Sequence, residues 1–141
     1  MLGVVFDPHR DELFLAADGC GSFLNGAPIR VAPGPPAAAT AKEGAGGAVG
    51  AGGADDLGEL ASAMVLMDPG YERSPSGAAR LAAAYEALLA ANVRAVRILG
   101  SSVLCLAWVA CGRASAFSAG LVEKDTPKPW DWAAGAVLVQ E

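Results

Sequence analysis

Short apolar runs alternate with polar, turn-forming residues at the start of the chain. Residues 2–6 and 12–17 are β-prone runs, and the segment between them, 7–11, contains Pro8, which restrains one backbone dihedral angle. This pattern predicts that the two runs pair as a hairpin.

A second hairpin signal follows directly. Residues 22–24 meet Asn25-Gly26, a dipeptide that tolerates positive φ and favours a tight turn, and residues 29–31 return. We therefore expect residues 1–31 to form antiparallel strands.

Residues 32–58 interrupt the pattern with Pro-Gly-Pro-Pro and then mostly glycine and alanine. Such small side chains bury too little area to offset the entropy lost on ordering, so we predict a disordered insertion. Glycine does not recur at every third position, which excludes a collagen helix, whereas a functional linker stays open.

The remainder, residues 63–141, alternates strand-like and helix-like segments. Strands are predicted at 63–67, 93–99 and 115–121, and helices at 76–91, at 103–110 and from Trp130 onward. Pro129 is suited to the first position of the last helix. This alternation after a meander predicts a layered α/β domain.

The two inner helices differ in their apolar pattern. The helix at 103–110 is apolar nearly all round, so we expect it to be buried on most sides. The helix at 76–91 has a single apolar stripe, which we expect to lie on a sheet; the stripe comprises Ala78, Leu81, Ala82, Tyr85, Leu88 and Leu89.

Composition narrows the class of protein. The chain has 141 residues, of which 53% are hydrophobic and 18% charged, enough for one domain. Its formal net charge of −5 argues against a nucleic-acid binder or an anionic-membrane binder acting through its overall field.

Cysteine spacing and the chain ends carry further expectations. Cys20, Cys105 and Cys111 form no C-x-x-C pair and only one histidine is present, so no zinc site is expected and a reducing compartment fits. Without a signal peptide or an apolar run of about 20 residues, we expect a soluble intracellular protein, with cytoplasm and plastid both open. The chain starts on a strand and stops without a helix-ending residue, which indicates a piece of a larger protein.

Two places could carry chemistry. Gly100-Ser101-Ser102 links a strand to a helix, where free backbone N–H groups and two hydroxyls could bind an anion or a sugar hydroxyl; a simple N-cap is the alternative. Asp131, between two tryptophans in the first turn of the last helix, could be a Mg²⁺ ligand; compensation of the helix dipole is the alternative.

Several blocks of the sequence resemble the inositol monophosphatase family. The opening strands with Gly21-Ser22-Phe23-Leu24-Asn25-Gly26 are similar to that family, and two later blocks match its patterns R-x-x-G-[ST]-[AS] and W-D-x-A-[AG]-[GA]. These are Arg97-Ile98-Leu99-Gly100-Ser101-Ser102 and Trp130-Asp131-Trp132-Ala133-Ala134-Gly135.

The resemblance implies an αβαβα layered fold and a Mg²⁺-dependent, Li⁺-sensitive phosphomonoesterase, usually a homodimer. It implies Asp131 as a metal ligand, with the other ligands in upstream blocks that this sequence lacks. Asp7-Pro8 and Asp68-Pro69 lack the family's following Asp-Gly, so both are interpreted as turns. The chain alone is therefore expected to be nearly inactive.

The same resemblance implies that Gly100, Ser101 and Ser102 contact the substrate, with Glu123 as a further candidate in the loop 122–128. The implied reaction is hydrolysis of inositol monophosphate. Alternatives are fructose 1,6-bisphosphate, histidinol phosphate or a nucleotide 3′-phosphate as substrate. A non-catalytic remnant is another. It would bind a partner subunit through surface normally covered by the missing half, because the apolar helix at 103–110 would otherwise lack a neighbour.

Overall fold

A computed structural model describes residues 1–32, 60–121 and 127–141. The first range forms an antiparallel sheet in the order β1-β2-β3-β4; the strands are β1 (Leu2–Asp7), β2 (Glu12–Ala17), β3 (Gly21–Leu24) and β4 (Ala27–Ile29). Asn25 and Gly26 have φ angles of 49° and 80°, as the hairpin prediction requires. The predicted sheet is confirmed, with its last strand two residues earlier than expected. The predicted insertion lies outside the described residues, Ala32 excepted.

A second, parallel sheet follows in the described part of the chain. Its strands are β5 (Met64–Met67), β6 (Ala95–Arg97) and β7 (Ala116–Ser118), and β5 lies between the other two. The strand predicted at 93–99 is shortened to β6, which pairs only with Met64 to Leu66 of the short central strand. Because β5, β6 and β7 are parallel, their carboxyl ends lie at the same edge of the sheet.

Three helices connect and cover these sheets in the described ranges: α1 (Pro75–Ala90), α2 (Ser102–Ala110) and α3 (Pro129–Gln140). All three predicted helices are present, and Pro129 is the first residue of α3 as expected. The predicted stripe of α1 is wrong as a buried face. Leu81 and Leu88 are half-buried, whereas Ala78, Ala82, Tyr85 and Leu89 are exposed.

The core lies where α2 and α3 meet the two sheets. One cluster joins Phe14 and Ala16 of β2 to Ala107 of α2 and Leu138 of α3, all buried. A second cluster joins Leu66 of β5 to the opposite side of α2. Helix α2 is thus sandwiched between the sheets, which confirms its predicted burial.

The layers of helices and sheets confirm the predicted fold. They form the layered α/β domain that the alternation of strands and helices predicted. The argument that the helix at 103–110 lacks a neighbour is wrong, because α2 packs against α3, β1 and β7. Within the described ranges, no helix is both long and apolar enough to cross a membrane.

Candidate functional site

A cavity of about 400 Å³ opens at the carboxyl edge of the parallel sheet. Its walls come from three places: the loop after β5, the loop between β6 and α2, and the start of α3. The structure therefore brings Gly100, Ser101 and Ser102 beside Asp131, as the family resemblance implied. It adds Asp68, whose role the sequence did not indicate.

The turn from β6 into α2 combines a glycine conformation with a helix cap. Gly100 has a φ of 83°, a region that side chains disfavour. The Ser101 Oγ accepts a hydrogen bond from the Leu104 amide at 3.3 Å, so the simple N-cap interpretation is confirmed for this side chain. The first amides of α2 have no intrahelical acceptor, because every α-helix leaves its first N–H groups free. They lie at the cavity and are suited to oxygen-rich ligands.

Asp68 connects the end of β5 to the end of β7 and to the start of α2. Its Oδ1 accepts from the Gly70 amide at 2.9 Å, and its Oδ2 accepts from the Ser102 hydroxyl at 3.0 Å. Its own amide donates to the Ser118 carbonyl at 2.9 Å. The sequence interpretation of Asp68-Pro69-Gly70 as a turn is correct but incomplete. The missed signal was an acidic residue directly after a buried strand.

Asp131 lies half-buried in the first turn of α3. Its Oδ2 accepts from the Lys128 amide at 2.8 Å, a contact that stabilises the helix start. Its Oδ1 has no partner among the described residues. Trp130 beside it is 78% exposed, so the tryptophans do not enclose the carboxylate. One carboxylate oxygen of Asp131 thus stabilises the start of the helix, and within the described ranges the other one is left without a partner.

The described residues do not complete a metal site. No group of three or more His, Cys, Asp or Glu side chains comes together in those ranges. Asp131 offers a hard oxygen suited to Mg²⁺, whereas both oxygens of Asp68 are used within the protein. Asp131 therefore has the chemistry of a single Mg²⁺ ligand.

Two further residues near this part of the sequence differ in what the structure describes. Cys105 lies buried in α2, and burial raises the pKa of its thiol to about 11, with the nearby Asp68 charge adding to the effect. This cysteine is therefore an inert core residue. Glu123 lies outside the described residues.

Comparison with known proteins identifies the family. The model of the inositol monophosphatase family matches residues 1–141. The chain belongs to that family. Inositol monophosphatase 3 of Solanum lycopersicum is 34% identical over 99% of this chain and 42% of its own length. The Nus factor SuhB of Xylella fastidiosa is 36% identical over 98% of the chain and 39% of its own length.

Solved structures of family members share the fold. The extragenic suppressor protein suhB of Bartonella henselae aligns with a TM-score of 0.67 and 25% identity, over all of this chain and 42% of that one. Inositol monophosphatase from Anabaena aligns with a TM-score of 0.65 and 28% identity, over 99% and 44%. The chain therefore has the layered α/β fold of this family. It spans about two-fifths of the length of the relatives it matches.

Proposed function

We propose that this chain forms part of a phosphomonoesterase site, with inositol monophosphate as the preferred substrate. The observation that carries the proposal is the shared cavity, in which Asp131 and the turn Gly100 to Ser102 come together from separate parts of the sequence. Several relatives bear the name inositol monophosphatase, which supports this choice of substrate.

Each residue has a distinct role in this proposal. Asp131 holds a Mg²⁺ ion through its free oxygen, while the turn Gly100 to Ser102 orients the hydroxyls of the polyol. Glu123 is a further substrate contact. When bound there, Mg²⁺ would supply electrostatic stabilisation and would activate a water. The chain's own residues bind and orient the substrate beside it.

The chain alone is expected to be nearly inactive. Asp131 is a single carboxylate, whereas the resemblance implies that the enzymes of this family hold their metal with several carboxylate ligands. The resemblance places the other ligands upstream of the residues matched here. We propose that the active species contains that upstream part and is a homodimer.

The substrate is the least constrained part of the proposal. Fructose 1,6-bisphosphate and nucleotide 3′-phosphates present hydroxyls near a phosphate monoester, whereas histidinol phosphate presents an amino group there. The cavity offers hydroxyl groups and helix amides that suit any of these. A panel of these esters, assayed with Mg²⁺, ranks them directly.

Asp131→Asn tests the metal role in the full-length product of the gene. We expect Mg²⁺-dependent phosphate release to fall at least tenfold, which is about 1.4 kcal/mol in the activation barrier, because the amide is a poorer cation ligand. The asparagine oxygen can still accept from the Lys128 amide, so the melting temperature should stay close to that of the wild type. Phosphate release is measured across a Mg²⁺ titration.

Asp18→Asn is the matched control, since Asp18 is an exposed carboxylate on the turn that follows β2, away from the cavity. It should leave the titration unchanged. Equal Mg²⁺-dependent activity in Asp131→Asn and wild type would remove Asp131 from the metal site.

A second candidate function is binding without catalysis, and one surface favours it. The outer face of the antiparallel sheet exposes apolar side chains of β1 and β2; their exposed fractions are Leu2 64%, Val4 49%, Phe6 53%, Leu13 43% and Leu15 39%. We call these five residues the outer sheet face. The occupant we infer is polypeptide corresponding to the part of the relatives that this chain does not span, because that part is the larger share of their length.

A further inference from the structure

The structure fixes the direction of one hydrogen bond at the cavity. We propose that Asp68 is a positioning residue that makes the Ser102 hydroxyl an acceptor toward the cavity, so that this part of the site selects a hydroxyl group of the substrate over a phosphate oxygen. The proposal rests on the phosphomonoesterase function given above and names the residue that sets its polyol specificity.

The Asp68 carboxylate determines the direction in which the Ser102 hydroxyl donates its proton. An ionised carboxylate only accepts hydrogen bonds, and a serine hydroxyl has a single proton to donate. The Ser102 Oγ lies 3.0 Å from Asp68 Oδ2, so that proton points at the carboxylate. Ser102 therefore has only lone pairs left to offer a ligand.

Backbone contacts hold Asp68 in place. Its other oxygen, Oδ1, accepts from the Gly70 amide at 2.9 Å, and its own amide is bonded to Ser118 on β7. Rotation of the carboxylate away from Ser102 would break the contact with Gly70. The contacts of Asp68 with Gly70 and Ser118 therefore keep the Ser102 hydroxyl donating to Asp68 and accepting from the cavity.

The neighbouring serine has the opposite polarity. Ser101 Oγ accepts from the Leu104 amide, so its proton is free to donate. Two adjacent serines at the cavity therefore offer one donor and one acceptor. A hydroxyl group both donates and accepts, whereas the unprotonated oxygens of a phosphate group only accept and are repelled by the Asp68 charge. A polyol matches this pair and a phosphate group does not.

The variants Asp68→Asn and Ser102→Ala distinguish a role of Asp68 in polyol specificity from a structural or general electrostatic role. In Asp68→Asn the amide can donate to Ser102, which frees the hydroxyl proton toward the cavity. In Ser102→Ala the acceptor is removed while the Asp68 charge stays. Using the full-length gene product with Mg²⁺, kcat/KM is measured for inositol 1-phosphate and for p-nitrophenyl phosphate, which has no polyol hydroxyls.

We expect the ratio of the two kcat/KM values to fall at least fivefold in each variant, with inositol 1-phosphate the more affected. Because both variants remove the same acceptor, the double variant should show little further loss. An equal fall for both substrates would make Asp68 a structural or general electrostatic residue and overturn the proposal, even where the wild type is an active phosphatase.

A binding titration keeps this outcome separate from failure of the proposed function. If the wild type releases phosphate from neither ester, the phosphatase proposal fails. Calorimetric titration with myo-inositol and with inorganic phosphate then decides the role of Asp68. A weaker preference for inositol in both variants supports it, and an unchanged preference, or no binding by the wild type, overturns it.

Discussion

A two-pronged ion pair joins Glu12 at the start of β2 to Arg113, just after α2. The two carboxylate oxygens each lie 2.7 Å from a guanidinium nitrogen, and the partners are 101 residues apart in sequence. Paired contacts of this kind are stronger and more directional than single ones. At the scale of single residues, this pair ties the first hairpin to the end of the central helix.

The hydrogen bond from Arg113 holds the pKa of Glu12 below its ordinary value of 4.5. The contribution of the pair is therefore complete above pH 4.5 and is lost as the pH falls through the lower pKa of the folded state. We expect Glu12→Gln to reduce the free energy of unfolding at pH 7 by about 1 kcal/mol, or about 3 °C in melting temperature. The same comparison at pH 3 should show a smaller difference, since the carboxylate becomes protonated as the pH falls.

Glu86→Gln is the control, since Glu86 is an exposed carboxylate on α1. Thermal melts of the three proteins at both pH values make the test. A difference between Glu12→Gln and wild type that persists undiminished at pH 3 would contradict the assigned role of the carboxylate.

Helices α2 and α3 approach closely because α3 carries a glycine at their contact. A Cβ atom added to Gly135 would lie 2.5 Å from the Cβ of Leu106 on α2. Glycine costs helix stability, so its presence here reflects the packing of these two elements. The close approach places the start of α3, and with it Asp131, beside the loop that leads into α2.

Gly135→Ala is expected to reduce the free energy of unfolding by about 1–3 kcal/mol, because the added methyl group forces the two helices apart. Helix propensity alone predicts the opposite sign, a gain of about 1 kcal/mol. Ala133→Gly, at an exposed position of the same helix, serves as the control for propensity and should lose about that amount. Chemical denaturation measures both, and a more stable Gly135→Ala protein would show that the helices do not touch there.

At the level of elements, sequence patterns predicted the helices and strands well and their packing less well. The turn residues Asn25-Gly26 and the proline at 129 determine local geometry, so the hairpin and the last helix were predictable. The stripe on α1 was not, because an apolar stripe records a preference for burial and not whether a surface is available. Likewise, Asp68 was predicted only as a turn because its partner, Ser102, lies 34 residues away.

At the scale of the whole molecule, the main feature is the exposed apolar surface that we call the outer sheet face. Val4 pairs with Leu15 and Phe6 with Leu13 across β1 and β2, so these side chains form one continuous apolar surface. Soluble proteins rarely expose such a surface unless another protein surface covers it. The part of the relatives that this chain does not span is the larger share of their length.

The isolated 141-residue chain should therefore self-associate as its concentration rises. We expect Val4→Thr combined with Leu15→Thr to weaken this association at least fivefold, since threonine keeps the β-strand preference while adding a hydroxyl to the surface. Leu89→Gln, which removes an exposed apolar side chain from α1, should change it little. Sedimentation velocity over a range of concentrations measures the association, and equal weakening by both variants would show that the outer sheet face has no special role.

The sequence by itself determined the order of strands and helices, because turn residues and apolar spacing act locally. It also determined the family to which the chain belongs, because that family is recognised from short blocks of sequence. Only the tertiary structure decided which residues share the cavity. Asp68, Ser102 and Asp131 meet because parallel strands end at one edge of a sheet and because α3 packs closely on α2. Hydrogen-bond direction between distant residues depends on that packing and has no signature in the sequence alone.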